Sequence, residues 1–171
     1  WDYVVFNNHS LSPINNAQNF VDYGKRFADL VRSKGAEPVF MMTWAYKSNP
    51  LMLPEIEKMY KNLCEQTKTD FVPGGPLFAS SLKYRPDLEL FHDNIHPSPN
   101  GTYLLALAFY KFFTGKNVNT IPTNIATLDT NGQTLYLVFM NDLDAIFFRQ
   151  LVNEFQFKTL TQKLEVITNP K

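Results

Sequence analysis

The sequence predicts an α/β fold built around a parallel sheet. Apolar runs of strand length alternate with segments of helical periodicity, and those runs are apolar nearly throughout rather than at every second position. Such strands are covered by helices on both faces. Each run also closes on a polar or glycine cluster: Asn7-Asn8-His9-Ser10, Thr43-Trp44 and Pro73-Gly74-Gly75. In open α/β sheets the carboxyl ends of the strands are where ligands bind.

The first run, "WDYVVF", is β-branched and aromatic and reads as a buried strand. "NAQNFVDYGKRFADLVRSKG" follows with Phe20, Tyr23, Phe27, Leu30 and Val31 at helical spacing and Gly35 as its stop. "EPVFMMTW" is the second strand. "LPEIEKMYKNLCEQTK" carries Ile56, Met59, Tyr60 and Leu63 on one face of a second helix. "DFVPGG" is a third, shorter strand that closes on Pro73 and two glycines.

In "HPSPNGTYLLALAFYKFF", Ser98 is placed to cap a helix and Pro99 to occupy its first position. From Tyr103 to Phe113 this helix has no polar face, so it is expected to be buried. An Asn131-Gly132 turn lies between two apolar-rich runs and predicts a hairpin. A last amphipathic helix carries Ile146, Phe147, Leu151 and Phe155. No repeat, low-complexity tract or linker interrupts the chain, so residues 1–171 are read as a single domain, with 116–171 as an appendage to it.

At 171 residues, 44% of them apolar, the chain can bury a real core, and the composition excludes disordered and fibrous classes. Sixteen basic residues balance sixteen acidic ones without a run of either sign, so charge suggests no nucleic-acid partner. No apolar stretch reaches membrane-spanning length. The single Cys64 can form no internal disulfide and reads as a small buried hydrophobe. The chain starts at Trp1, directly in a strand-like run and without Met, so an upstream segment is expected.

Chemistry concentrates in "FHDNIHPSPNG", where Asp93 and His96 lie three apart. A carboxylate beside an imidazole can hold Nδ1–H, fix the tautomer and stabilise the charged ring, which leaves Nε2 as a general base toward a hydroxyl. Taken alone, the pair reads more readily as a surface turn in which Asp93 caps a local N–H. A zinc site from His9, His92 and His96 has no supporting spacing.

"DNIHPSPNGTYLLALAFY" resembles the closing motif of the SGNH (GDSL-type) hydrolases, in which Asp-x-x-His-Pro precedes the last core helix. "DYVVF", "EPVFMMTW" and "TDFVPGGPLF" resemble that family's third, fourth and fifth strands. "MTW" and "HPS-x-x-G-x-Y-L" are similar to divergent bacterial members of carbohydrate-esterase type. The likeness covers roughly Trp1 to Gly115 and is specific at Asp93–Tyr103. It implies a three-layer, flavodoxin-like SGNH fold with strands 3-4-5 present here.

The resemblance also implies ester hydrolysis through a serine ester without a metal or organic cofactor, with His96 as base, Asp93 as its orienting carboxylate and an oxyanion hole that includes a side-chain amide. Asn8 is the first candidate for that amide and Asn7 the second; alternation along the strand sends them to opposite sides. Trp44 and Tyr46 put aromatic rings beside the site, where a sugar could stack, or Trp44 simply lids the sheet as core.

The sequence departs from the family in two places. No Gly-Asp-Ser-like motif supplies a nucleophile, and "NNHS" replaces the expected Gly-x-Asn-Asp. Ser10 follows a strand but lacks the glycines of a sharp elbow, so turn capping is its expected duty. In the family's strand order, 2-1-3-4-5, loss of the first two strands would leave Trp1–Phe6 as an exposed edge. The expected partner at that edge is an N-terminal fragment of the same protein carrying the serine, and the chain alone is expected to be inactive.

The expected substrate is a small-molecule or glycan ester, acyl or acetyl. The competing expectation is a catalytically degenerate domain that keeps the fold and binds a glycan or a protein. A flavodoxin-like nucleotide binder is disfavoured, because no glycine-rich phosphate loop follows a strand. The residues assign no compartment; a secreted or periplasmic one is the expectation.

Overall fold

Three short strands pair in parallel in the order β1-β2-β3: β1 (Tyr3–Phe6), β2 (Glu37–Met42) and β3 (Asp70–Pro73). Registers Val5↔Val39 and Phe40↔Phe71 fix the central strand between its neighbours. The fold is therefore α/β with a parallel sheet, and strands that follow one another in the chain are adjacent in the sheet. The computed structural model describes residues 1–157, and these divide into two units, Trp1–Pro76 and Leu77–Gln156. Of the expected 116–171 appendage, residues 158–171 lie outside the described residues.

In the first unit the sheet carries a short helix, α1 (Ser12–Asn15), and two long ones, α2 (Ala17–Ser33) and α3 (Leu53–Thr67). Phe40, Met42, Ile56, Tyr60 and Leu63 form its core, with Phe20 stacked edge-on against Tyr60 at 4.9 Å. Gly35 ends α2 at φ +79°, as its position in the sequence predicts.

The buried face of α2 differs from the one the large apolar residues suggest. It consists of Phe20, Val21, Gly24, Ala28 and Val31, whereas Tyr23 and Leu30 are exposed. Gly24 explains the difference. A Cβ there would sit 2.6 Å from the Leu63 side chain, so α2 meets α3 along a small-residue face. The helix α3 buries Ile56, Met59, Tyr60 and Leu63 as expected.

Pro73-Gly74-Gly75 predicts a break after β3, yet α4 (Gly74–Tyr84) begins at once. Gly75 is required at this start because a Cβ there would lie 2.5 Å from the Thr43 carbonyl oxygen.

The second unit holds α5 (Pro99–Thr114), an antiparallel hairpin of β4 (Asn124–Leu128) and β5 (Thr134–Phe139), and α6 (Asp142–Glu154). Tyr103, Leu104, Leu105, Leu107 and Ala108 of α5 are buried, but its last turn emerges and Phe113 is exposed. The buried face of α6 is Ala145, Phe148 and Val152, while Ile146 is exposed. The apolar spacing predicts the neighbouring stripe of Ile146, Phe147, Leu151 and Phe155. Among the described residues, no helix is long and apolar enough to cross a membrane.

Candidate active site

The segment from Leu90 to Ser98 is a closed loop. Ser98 N–H donates to the Leu90 carbonyl at 2.8 Å, Phe91 and Pro97 form an antiparallel bridge, and His92 N–H donates to the His96 carbonyl at 2.9 Å. The base of the loop is buried through Leu90, Phe91 and Ser98, and its tip is exposed. Phe91 packs edge-on against Phe78 at 5.5 Å.

Ser98 joins the loop to α5. Its hydroxyl donates to the Glu89 carbonyl at 2.7 Å and accepts from Gly101 N–H at 3.2 Å, which caps the helix. Gly101 permits this close seating, since a Cβ there would collide with the Leu90 carbonyl oxygen and the Phe78 ring.

At the tip, one Asp93 oxygen accepts the backbone N–H groups of Ile95 and His96, each at 2.7 Å. The other oxygen lies 2.7 Å from His96 Nδ1. The His96 side chain, then the His96 and Ile95 N–H groups, hold the Asp93 carboxyl well below the usual carboxylate range. An ionised carboxylate can only accept, so Nδ1 carries the proton and Nε2 of the neutral ring is the free lone pair. The His96 side chain is 67% exposed, so that lone pair is open to solvent. Among the described residues, no serine hydroxyl hydrogen-bonds the ring. A ring held in this way can act as a Brønsted base.

The first unit places a polar rim after β1 and β2. Asn8 Oδ1 accepts from His9 N–H at 2.8 Å and from the Ser12 hydroxyl at 2.9 Å. Because a backbone N–H must meet an oxygen, the amide orientation is fixed and Nδ2 is the end left to donate. Asn8 is half-buried and Asn7 exposed.

His9 Nδ1 accepts Leu11 N–H at 3.3 Å, and its Nε2 lies 2.9 Å from the Tyr46 hydroxyl. This pairing of residues 37 apart has no local signature in the sequence. Trp44 is 8% exposed, so Tyr46, which is half-buried, is the more accessible ring. Ser10 is also 8% exposed, and Ser12 rather than Ser10 makes the turn contact with Asn8. Among the described residues, no three His, Cys, Asp or Glu side chains converge as a metal site would require.

The parallel sheet and its helices give the chain an SGNH-like fold. The chain is similar to a candidate SGNH hydrolase from Slackia heliotrinireducens, at 21% identity and a TM-score of 0.58, over 66% of each chain. It is also similar to a DUF4886 family protein from Bacteroides uniformis, at 19% identity and a TM-score of 0.62, over 95% of this chain and 66% of that one. The chain therefore spans just under two thirds of either relative's length. An acetyl xylan esterase from Geobacillus stearothermophilus matches 66% of this chain and 60% of its own at 20% identity and a TM-score of 0.47. No protein-family model matches the chain, and no curated protein matches it in sequence.

Proposed function

We propose that this chain supplies the base of a serine-type carboxylic ester hydrolase that acts on acyl or acetyl esters, those of carbohydrates among them. The observation that carries the proposal is the 2.7 Å contact between His96 Nδ1 and Asp93 on a ring that remains exposed. A fixed tautomer with a solvent-facing Nε2 is what a general base toward a hydroxyl needs.

In the proposed reaction a serine hydroxyl attacks the ester carbonyl while His96 Nε2 takes its proton. Asp93 stays ionised and stabilises the imidazolium. Backbone N–H groups and a side-chain amide donate to the oxyanion of the tetrahedral intermediate. Collapse returns the proton from His96 to the leaving alcohol and leaves an acyl serine. Water then attacks that ester by the same route, releasing the acid and restoring both groups.

The serine is proposed to come from a segment outside this sequence, paired along β1. Support comes from the sheet: among the described residues β1 pairs with β2, and Val5 is exposed. Ser10 is buried, and the Ser12 hydroxyl is committed to Asn8.

Hydrolysis of p-nitrophenyl acetate tests the reading. The full-length polypeptide is expected to turn over and to lose roughly 10³-fold or more in kcat/KM on His96→Ala. Residues 1–171 alone are expected to be inert. A full-length protein without esterase activity, or one whose activity survives His96→Ala, would refute the proposal.

A further inference from the structure

In the first unit the His9 ring joins two segments that lie 37 residues apart in the chain. On one side Nδ1 accepts Leu11 N–H at 3.3 Å, in the turn that enters α1. On the other, Nε2 lies 2.9 Å from the Tyr46 hydroxyl, in the segment that leaves β2. The two rings meet edge to face with centroids 6.0 Å apart.

These two contacts fix the protonation state of the ring. A backbone N–H can only donate, so Nδ1 must offer its lone pair to Leu11. The proton of the neutral ring is then on Nε2, which donates to the Tyr46 oxygen. The other tautomer would set one N–H against another at Leu11. His9 and His96 are therefore held in opposite tautomers, His96 carrying its proton on Nδ1 beside Asp93.

A charged His9 cannot keep both contacts. Protonation fills Nδ1, so the ring and Leu11 N–H become two donors facing each other, while Nε2–H still donates to Tyr46. The titratable side chains around the ring do not reverse this. The helix α1 (Ser12–Asn15) carries none, and residues 43–49 contribute Tyr46 and the adjacent, exposed Lys47.

The turn that would be released has few other ties. Leu11 stands at the start of α1 without a side-chain cap, and α1 is four residues long, too short to hold itself. Its entry is otherwise fastened by Ser12 N–H on the His9 carbonyl at 2.8 Å and by the Ser12 hydroxyl on Asn8 Oδ1 at 2.9 Å. We propose that His9 is a pH-operated latch. Neutral, it fastens the turn into α1 to the segment after β2; protonated, it keeps Tyr46 and lets the turn go. Asn8 belongs to the same turn, its Oδ1 accepting His9 N–H, so acid loosens the rim at Asn8. This inference is independent of the hydrolase reading.

NMR on residues 1–171 tests it. At about pH 8, ¹⁵N-correlated spectra are expected to show His9 protonated on Nε2 and bare on Nδ1. Amide exchange is then compared at about pH 7.5 and about pH 5, across the interval in which imidazoles titrate. Relative to the intrinsic rate at each pH, protection of Leu11 is expected to fall about 2- to 10-fold in acid, the loss of one hydrogen bond, while the amides of β2 keep theirs. His9→Asn puts a carbonyl oxygen that does not titrate near the place of Nδ1, and Leu11 protection in that variant is expected to be the same at both pH values. If the variant does not fold, the tautomer and the pH comparison on the parent decide alone. A neutral His9 protonated on Nδ1, an equal protection of Leu11 at the two pH values in the parent, or the same acid loss in a folded His9→Asn would overturn the proposal.

Discussion

Asp93 holds His96 at two points, taking its backbone N–H at 2.7 Å on one oxygen and standing 2.7 Å from its ring Nδ1 on the other. The backbone contact closes the turn and the ring contact orients the imidazole, so one side chain sets both the place and the tautomer of the base. Replacing Asp93 therefore disturbs two things that separate substitutions can distinguish.

Asp93→Asn keeps a backbone acceptor on the turn but removes the negative charge from Nδ1. The full-length protein is expected to lose about 10²- to 10⁴-fold in kcat, with KM little changed, because tautomer and imidazolium stabilisation are lost together. In ¹⁵N-correlated NMR spectra of residues 1–171, the parent His96 should report a protonated Nδ1 at neutral pH. A ring protonated on Nε2 alone would contradict the assignment.

Acid should release the loop late. Asp93 titrates well below its ordinary pKa of about 3.9, so the folded state binds its proton less readily than the unfolded state does. Its contribution is therefore present above about pH 3.9 and is lost as pH falls through the depressed folded value. Amide exchange at Ile95 and His96 is expected to stay protected, relative to Asp93→Ala, at pH values where an ordinary aspartate is already protonated. Equal exchange rates in the two proteins near pH 4 would show that the carboxylate does not hold the turn.

Gly101→Ala should loosen the seat of the same loop. The new methyl would press on the Leu90 carbonyl and the Phe78 ring, an overpacking expected to cost about 1–3 kcal/mol. Urea denaturation would measure the loss. Ser98→Ala removes a helix cap and should cost about 1 kcal/mol by the same assay.

Cys64 should be chemically silent. Burial pushes its thiol up to about 12, ahead of the influence of its neighbours. A disulfide reagent at pH 8 is expected to react only after denaturant is added. A raised pKa means stability that is fully present below the ordinary thiol range of about 8.5 and is lost as pH rises toward the folded value. Rapid labelling of the native chain at pH 8 would contradict the burial.

The sequence made local features legible and packing faces less so. β1, β2 and β3, the stop at Gly35, the Asn131-Gly132 turn and the Ser98 cap each lie within a few consecutive residues, and each was readable. Asp93 and His96 also lie within one turn, so their contact could be anticipated from spacing. The faces of α2 and α6 could not, because counting large apolar residues overlooks a surface chosen for smallness. Gly24 against Leu63 decides α2, and Ala145 belongs to the buried stripe of α6. Helix α4 was hidden because Gly74-Gly75-Pro76 reads as a break, when Gly75 is there to admit the Thr43 carbonyl. The His9–Tyr46 contact joins two strand ends that only the fold brings together.

The central claim is that His96 awaits a serine hydroxyl from another segment. Labelling the full-length protein with a fluorophosphonate probe and mapping the adduct by mass spectrometry tests it most directly. The account predicts one labelled serine outside these 171 residues, with labelling abolished by His96→Ala. An adduct on Ser10, or no serine adduct at all, would contradict it.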